Sequence, residues 1–170
     1  EVDPASAEAI HANNVKRVIR ALEFYEQTGT KISEHNEEQH SKESAYNSAY
    51  FVLTQDRAVL YDRIEKRIDI MLSEGLLEEV KGLLEEGCKP ESVSMQGLGY
   101  KEIVAYLQGE CTLEEAIYIL KRDTRHFAKR QLTWFKRERE VLWFDKGEYA
   151  DEDAILTAML AEARKRGIIK

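Results

Sequence analysis

The chain has 170 residues, 43% of them hydrophobic and 34% charged, which is enough for one ordinary domain or a small pair and excludes wholesale disorder. No apolar run approaches the roughly 18 residues of a membrane span, and two cysteines outside CxxC spacing exclude a disulfide framework and argue against zinc, favouring a reducing compartment. A formal charge of −7 excludes a uniformly basic nucleic-acid coat but not a local basic face.

In chain order the pattern is mostly helical. Pro4 suits a first helical turn with Asp3 as its cap. Asn13 or Asn14 opens a second helix that runs to about Gln27 and closes at Gly29. Residues 30–47 are polar and weakly periodic, which predicts a loop or loose connection in which His35 and His40 are solvated. The apolar, β-forming run at 49–54 predicts a buried strand. Asp56 then caps a helix over 57–73, Gly75 breaks it, and a shorter helix follows over 76–86. The glycine loop Gln96-Gly97-Leu98-Gly99-Tyr100-Lys101 leads into a helix ending near Gly109. Thr112 and Glu115 form a capping box for a long helix to about Arg137. A second strand is expected at 141–145 and a last amphipathic helix at 152–165. Strand, helices, strand is the signature of part of an α/β sheet. Two strands alone make a poor sheet, and the first residue is Glu1, not Met. A processed chain or a fragment is therefore expected.

Three basic clusters carry the chemistry. Residues 121–137 hold seven Lys/Arg against one acid. At 100° per residue, Arg122, Arg125, His126, Lys129, Thr133, Lys136 and Arg137 share one side of a helix, a cationic ridge. Leu113, Ile117, Leu120, Phe127, Gln131, Trp134 and Phe135 share the other, the expected core face. Like charges four apart repel by a few tenths of a kcal/mol, so a polyanion is an attractive partner. A solvated face paired with acids from elsewhere in the chain is the competing reading. Arg63 and Arg67 lie one turn apart, beside the apolar line Leu60, Ile64, Ile68 and Met71, with no acid three or four residues away. An anion such as a diphosphate would satisfy both, as would acids distant in sequence. Lys16, Arg17 and Arg20 lie opposite Val15, Ile19 and Leu22, and suit either phosphate contact or plain surface. The glycine loop is weak as a signal by itself. Tyr100 could stack on a base and Lys101 could reach a phosphate, but in isolation an ordinary turn is the favoured reading of the glycines. No histidine spacing suggests a metal site, and the paired carboxylates read as surface.

Together these segments resemble the C-terminal portion of the bacterial tRNA dimethylallyltransferase family, the tRNA isopentenyltransferases. The likeness runs through Asp3-Pro4, Ile10-His11-Ala12-Asn13, Arg17-Val18-Ile19-Arg20-Ala21-Leu22-Glu23 and Thr28-Gly29. It continues through Leu60-Tyr61-Asp62-Arg63-Ile64-Glu65-Lys66-Arg67, Gly75-Leu76-Leu77-Glu78-Glu79-Val80 and Gln96-Gly97-Leu98-Gly99-Tyr100-Lys101-Glu102. It ends in the specific string Thr124-Arg125-His126-Phe127-Ala128-Lys129-Arg130-Gln131-Leu132-Thr133-Trp134-Phe135.

The resemblance implies an α/β fold, a P-loop NTPase-like core that is only partial and mostly helical here, with part of a helical insertion domain. Residues 1–47 would belong to the insertion and its connection, 48–146 to the core, and 147–170 to a C-terminal helix and tail. It implies transfer of a dimethylallyl group from dimethylallyl diphosphate to N6 of adenosine 37 in tRNA, giving i6A, by a cytoplasmic monomer with Mg2+ on the diphosphate. The adenosine would be flipped from the anticodon loop into a channel. Carried over by position, Arg63 and Arg67 match the diphosphate site. Lys16, Arg17, Val18, Ile19 and Arg20, then Gln96, Gly97, Leu98, Gly99, Tyr100 and Lys101, match tRNA-contacting stretches. So do Thr124, Arg125, His126, Phe127, Ala128, Lys129, Arg130 and Gln131.

One departure is large. The family's P-loop and general-base aspartate lie near its N-terminus, and no GxxxxGK[ST] occurs here. The segment is thus expected to hold no catalytic residue and no metal ligand and to be inactive alone, its P-loop portion being missing or separate. Two other functions fit parts of the pattern. One is a non-catalytic helical RNA-binding or interaction module. The other is an adenylate isopentenyltransferase, which would have little use for a cationic helix face.

Overall fold

The computed structural model describes residues 1–42, 46–138 and 140–170. It divides into two compact units, 1–47 and 48–170. The part of the expected polar connection at 43–45 lies outside the described residues.

The first unit is three helices: α1 (Pro4–Ala9), α2 (Val15–Thr28) and α3 (Ile32–Ser41). Asn14 caps α2, and Gly29 closes it in the left-handed region at φ 70°, where its N–H donates to the Tyr25 carbonyl. The helix α3 replaces the loop expected at 30–47. Its cap residue, Lys31, makes no side-chain capping bond. The capping carboxylate comes instead from Asp3, thirty residues earlier in the chain. Asp3 Oδ1 accepts from the Ser6 N–H (3.0 Å) and the Ser33 hydroxyl (2.7 Å). Oδ2 accepts from the Ser6 hydroxyl (2.7 Å) and the Ser33 N–H (3.1 Å). One buried carboxylate thus satisfies the first turns of two helices. The Phe24 and His35 rings meet at 5.0 Å between centroids, so His35 is half-buried against α2 and not solvated as expected.

The second unit holds β1 (Tyr50–Thr54), α4 (Arg57–Ser73), α5 (Leu76–Glu85), α6 (Tyr100–Leu107), α7 (Leu113–Phe135), β2 (Val141–Asp145), a short 3-10 turn Lys146–Glu148, and α8 (Glu152–Lys165). The strands pair in parallel, Tyr50 with Val141 through Thr54 with Asp145. Parallel pairing requires a long crossover, and the four helices α4 to α7 provide it. Their apolar faces meet in one cluster of Ile68, Leu76, Val80, Met95, Ile103, Val104 and Leu120. Aromatic edges tie the sheet in: Phe51 on Phe144 at 5.5 Å and Tyr50 on Phe135 at 6.0 Å. Tyr100 and Lys101 are the first residues of α6 and not loop, as read above. Gly99, at φ 105°, makes that entry. The buried Glu102 reaches back to accept from the Gly99 N–H at 2.9 Å.

Burial pushes the Asp3 carboxyl up, but its bonds from Ser6 and Ser33 together outweigh this and hold it well below the ordinary carboxylate range. A folded value below the unfolded one means the stabilisation is complete above about pH 5 and lost as pH falls through the unfolded value, ~3.9, toward the folded one. Asp3→Ala should cost about 1–2 kcal/mol and speed hydrogen exchange at the Ser33 amide more than at α2 amides. Unchanged protection at Ser33 would show that α3 is capped by something else.

Candidate functional site

The carboxyl ends of the two parallel strands open onto a cavity of about 600 Å³. Crevices at this end are where open α/β sheets bind ligands. Leu53 and Thr54 line it from β1, and Gln55 and Lys146 from the positions just past β1 and β2. From α4 come Leu60, Arg63, Ile64, Arg67, Ile68 and Met71, and from α7 come Leu120, Thr124 and Leu132. Leu98 and Gly99 complete it from the glycine loop. One wall is apolar and the rim is cationic.

Arg63 donates to Gln55 Oε1 at 2.8 Å. Among the described residues no carboxylate lies within 4 Å of either Arg63 or Arg67, whereas Lys146 is held by Glu152 at 2.9 Å. The Thr124 hydroxyl, which lines the cavity, donates to the Leu120 carbonyl (2.7 Å). Two unpaired guanidinia on one helical turn are a fork for a bidentate anion. No acid lines this cavity, and the described residues gather no group of three His, Cys, Asp or Glu. The donor set suits an anion and does not fit a cation.

The ridge on α7 divides in two. Its first cations are neutralised within the chain: Lys121 by Asp69 (2.6 Å), Arg122 by Asp123 (2.8 Å) and Arg125 by Glu65. The hydrogen bond between Arg122 and Asp123 raises the guanidinium and lowers the carboxyl. Beyond them Lys129, Arg130, Lys136 and Arg137 have no carboxylate within 4 Å among the described residues. The unpaired part of the ridge is therefore shorter than expected, since Arg122 and Arg125 already have acids beside them. The expected core face is also corrected. Ala116 and Leu120 are buried, while Phe127 and Trp134 are 45% and 53% exposed. The buried line passes through Leu120, Thr124 and Leu132 because α4 packs against that side. Ala128 is half-buried, and His126 and Gln131 are exposed.

In the glycine loop, Gly97 lies where a Cβ would meet the Ser94 carbonyl at 3.3 Å, and Gln96 donates to the Pro90 carbonyl at 2.8 Å. The Tyr100 ring packs on the core and its hydroxyl donates to Glu79, which raises its pKa. Tyr100 is thus a strut and not the open stacking surface expected. Lys101 faces Glu102 (3.4 Å) and Asp123 (3.7 Å). In the first unit Lys16, Arg17 and Arg20 are exposed and unpaired among the described residues. On that helix the expected apolar side is open: Val15, Ile19 and Leu22 are 47–59% exposed, Val18 is 38% exposed, and Ala21 is the buried residue. Sequence reasoning missed Thr54, Gln55 and Lys146. Their signal was position, since each follows or ends a strand predicted to lie in an α/β sheet.

The IPP transferase family model matches residues 1–138, and the chain belongs to that family. It is 58% identical along its whole length to a tRNA dimethylallyltransferase of Lachnoclostridium phytofermentans, of which it covers 54%. It is 55% identical over 148 residues, 87% of this chain and 47% of the relative, to one from Carboxydothermus hydrogenoformans. The crystal structure of a tRNA isopentenylpyrophosphate transferase from Bacillus halodurans superposes with a TM-score of 0.70 at 44% identity, over 98% of this chain and 50% of that one. A eukaryotic dimethylallyltransferase acting on tRNA gives 0.76 at 30% identity, over 97% and 44%. The chain thus spans about half the length of the relatives it matches, and its fold is a mostly helical part of theirs. No helix among the described residues is long and apolar enough to cross a membrane.

The divided ridge has a measurable consequence. Arg125→Ala strips the partner from Glu65 and should cost about 0.5–1 kcal/mol in urea unfolding. Lys129→Ala should leave stability within about 0.5 kcal/mol. Equal losses in both would mean that Lys129 is also held by the fold.

Proposed function

We propose that this chain is the donor- and RNA-binding portion of a tRNA dimethylallyltransferase, in which Arg63 and Arg67 hold the diphosphate of dimethylallyl diphosphate. The observation that carries this is the cavity's two-sided chemistry. Unpaired guanidinia stand beside Leu60, Ile64, Ile68, Met71 and Leu132. A prenyl diphosphate is the matching molecule, with a charged head and a branched apolar tail. In the reaction the N6 nitrogen of adenosine 37 forms a bond to C1 of the dimethylallyl group as the C1–O bond breaks. The bonding pair leaves with diphosphate, giving i6A and inorganic diphosphate. Negative charge grows on the leaving oxygens, so groups that strengthen their hold at that moment accelerate the step. Arg63 and Arg67 are placed to do so.

The N6 proton needs a base that we assign to a part of the enzyme outside these residues, together with the P-loop. Prenyl transfer from diphosphates is generally metal-dependent. The described residues that line the cavity include no acid to hold Mg2+, so its ligands belong to other parts of the enzyme in this reading. For the acceptor we assign the tRNA anticodon stem-loop. Its contacts come from Lys16 to Arg20 in the first unit, read as part of the insertion domain, and in the core unit from Gln96 to Lys101 and Thr124 to Gln131. The unpaired cations of α7 favour a polyanion acceptor over a free adenine nucleotide. Such an enzyme works in the cytoplasm, as a monomer.

In the full-length polypeptide, Arg67→Ala should weaken donor binding by about 10- to 100-fold, the scale of a charged hydrogen bond, measured by calorimetry with dimethylallyl diphosphate. A variant that binds the donor as tightly as wild type would remove the diphosphate assignment. Lys129→Ala should leave donor binding intact and flatten the salt dependence of tRNA binding by about 0.7–0.9 in log–log slope. An unchanged slope would remove Lys129 from the RNA contact.

A further inference from the structure

Thr54 pairs with Asp145 at the ends of the two parallel strands, and such strands lie about 4.8 Å apart. Gln55 and Lys146 therefore leave the sheet side by side, and both line the cavity. Gln55 steadies Arg63, whose guanidinium donates to its Oε1 at 2.8 Å. Asp145 sets the turn that begins at Lys146, because its Oδ1 accepts from the Gly147 N–H at 2.8 Å. The cavity thus takes Lys146 from the sheet side and Arg63 and Arg67 from α4. Among the described residues the carboxylate beside Lys146 is Glu152, the first residue of α8, at 2.9 Å. The two members of this pair differ in surroundings: the Lys146 side chain is 21% exposed and that of Glu152 86%. Glu152 is no part of the cavity wall. Its carboxyl is held below its ordinary range, first by the hydrogen bond from Lys146 and its charge, then by the charge of Arg63. One exposed acid therefore lies in the field of two cavity cations. An ion pair with so exposed a partner is weak, and a diphosphate offers a cation more charge and more acceptor oxygens than one carboxylate does.

We propose that Lys146 is a third cation of the diphosphate site, held by Glu152 until the phosphate oxygens of the donor replace that carboxylate. Its role rests on the donor reading of Arg63 and Arg67 given above. A diphosphate head carries more negative charge than two guanidinia neutralise, and Lys146 completes the balance. The two kinds of cation divide the work. Arg63 and Arg67 are planar forks fixed on one helical turn, whereas a lysine is a point charge on a flexible stem that can pass between partners. Glu152 touches no part of the donor. It sets donor affinity by competing with the phosphates for Lys146.

The test uses the full-length polypeptide and calorimetry with two ligands, dimethylallyl diphosphate and inorganic diphosphate. Lys146→Gln should weaken both by about 10-fold, the lower end of the range for a charged hydrogen bond. Glu152→Gln should tighten both by about 2- to 5-fold, the scale of an exposed ion pair. In the double variant most of that gain should vanish. Both substitutions break the same ion pair, so a pair that only anchors α8 would move donor affinity in one direction in both variants. Opposite signs therefore exclude loss of structure as the cause. Wild-type donor affinity in Lys146→Gln, with Arg67→Ala still impaired, overturns the third cation and leaves the donor reading standing. A loss confined to dimethylallyl diphosphate overturns it too, since Lys146 would then act on the tail and not on the phosphates. A Glu152→Gln variant that binds no tighter than wild type overturns the exchange between carboxylate and phosphate. Failure of the wild-type polypeptide to bind either diphosphate overturns both readings.

Discussion

The packing of α4 against α7 is the constraint from which the site follows. Ile68 and Leu120 are 3% and 2% exposed within one apolar cluster. That contact fixes which side of each helix faces inward. On α4 the inward line is Leu60, Ile64, Ile68 and Met71, so Arg63 and Arg67 must emerge at its border, one turn apart. On α7 the inward line passes through Leu120, Thr124 and Leu132, so the basic and aromatic residues past Arg125 point elsewhere. Burial of these side chains contributes roughly 1.5–3 kcal/mol each. The few tenths of a kcal/mol of repulsion between neighbouring cations is small beside this. The fold can therefore hold guanidinia without carboxylate partners at the cavity edge.

Charge is sorted along α7 by its neighbours. Where α7 runs beside α4, Asp69 and Glu65 pair with Lys121 and Arg125. Past that overlap the acids stop and the cations continue. A surplus of positive charge thus sits at one end of one helix of an acidic chain. Net charge carries little information about such a segment, because a Debye length of about 8 Å at physiological salt confines its field to its own surroundings.

How much of this was legible in the sequence depends on how local its cause was. Asp3 and Pro4, Asn14 and Gly29, Asp56, and Thr112 with Glu115 all act within four residues, and those helix ends could be read directly. The helix α3 could not, because Asp3 caps it from thirty positions away and its own residues carry weak amphipathic order. Arg63 and Arg67 could be singled out because the absence of acids at three and four positions is a local fact. The division of the α7 ridge could not, because Asp69 and Glu65 lie on another helix. Periodicity gave a plausible apolar face to α7 but assigned Phe127 and Trp134 to it. An apolar side chain on a helix is buried only if something packs there, and period alone does not say which turn a neighbour reaches. Thr54, Gln55 and Lys146 lacked any compositional signal and became visible once the strands were known to be parallel and paired at their ends.

The division between the cavity and the exposed face of α7 also bears on how such an enzyme would choose its acceptor. The cavity has room for a small apolar tail with an anionic head, and none of its lining residues is an acid that could read an amino group. On the proposed reading, the phosphates of the acceptor are then held outside the cavity, by the unpaired cations of α7. Phosphate contacts fix register without reading sequence. On the proposed reading, these residues would hold the RNA without reading its sequence, and the identity of the reacting base would be left to other parts of the enzyme.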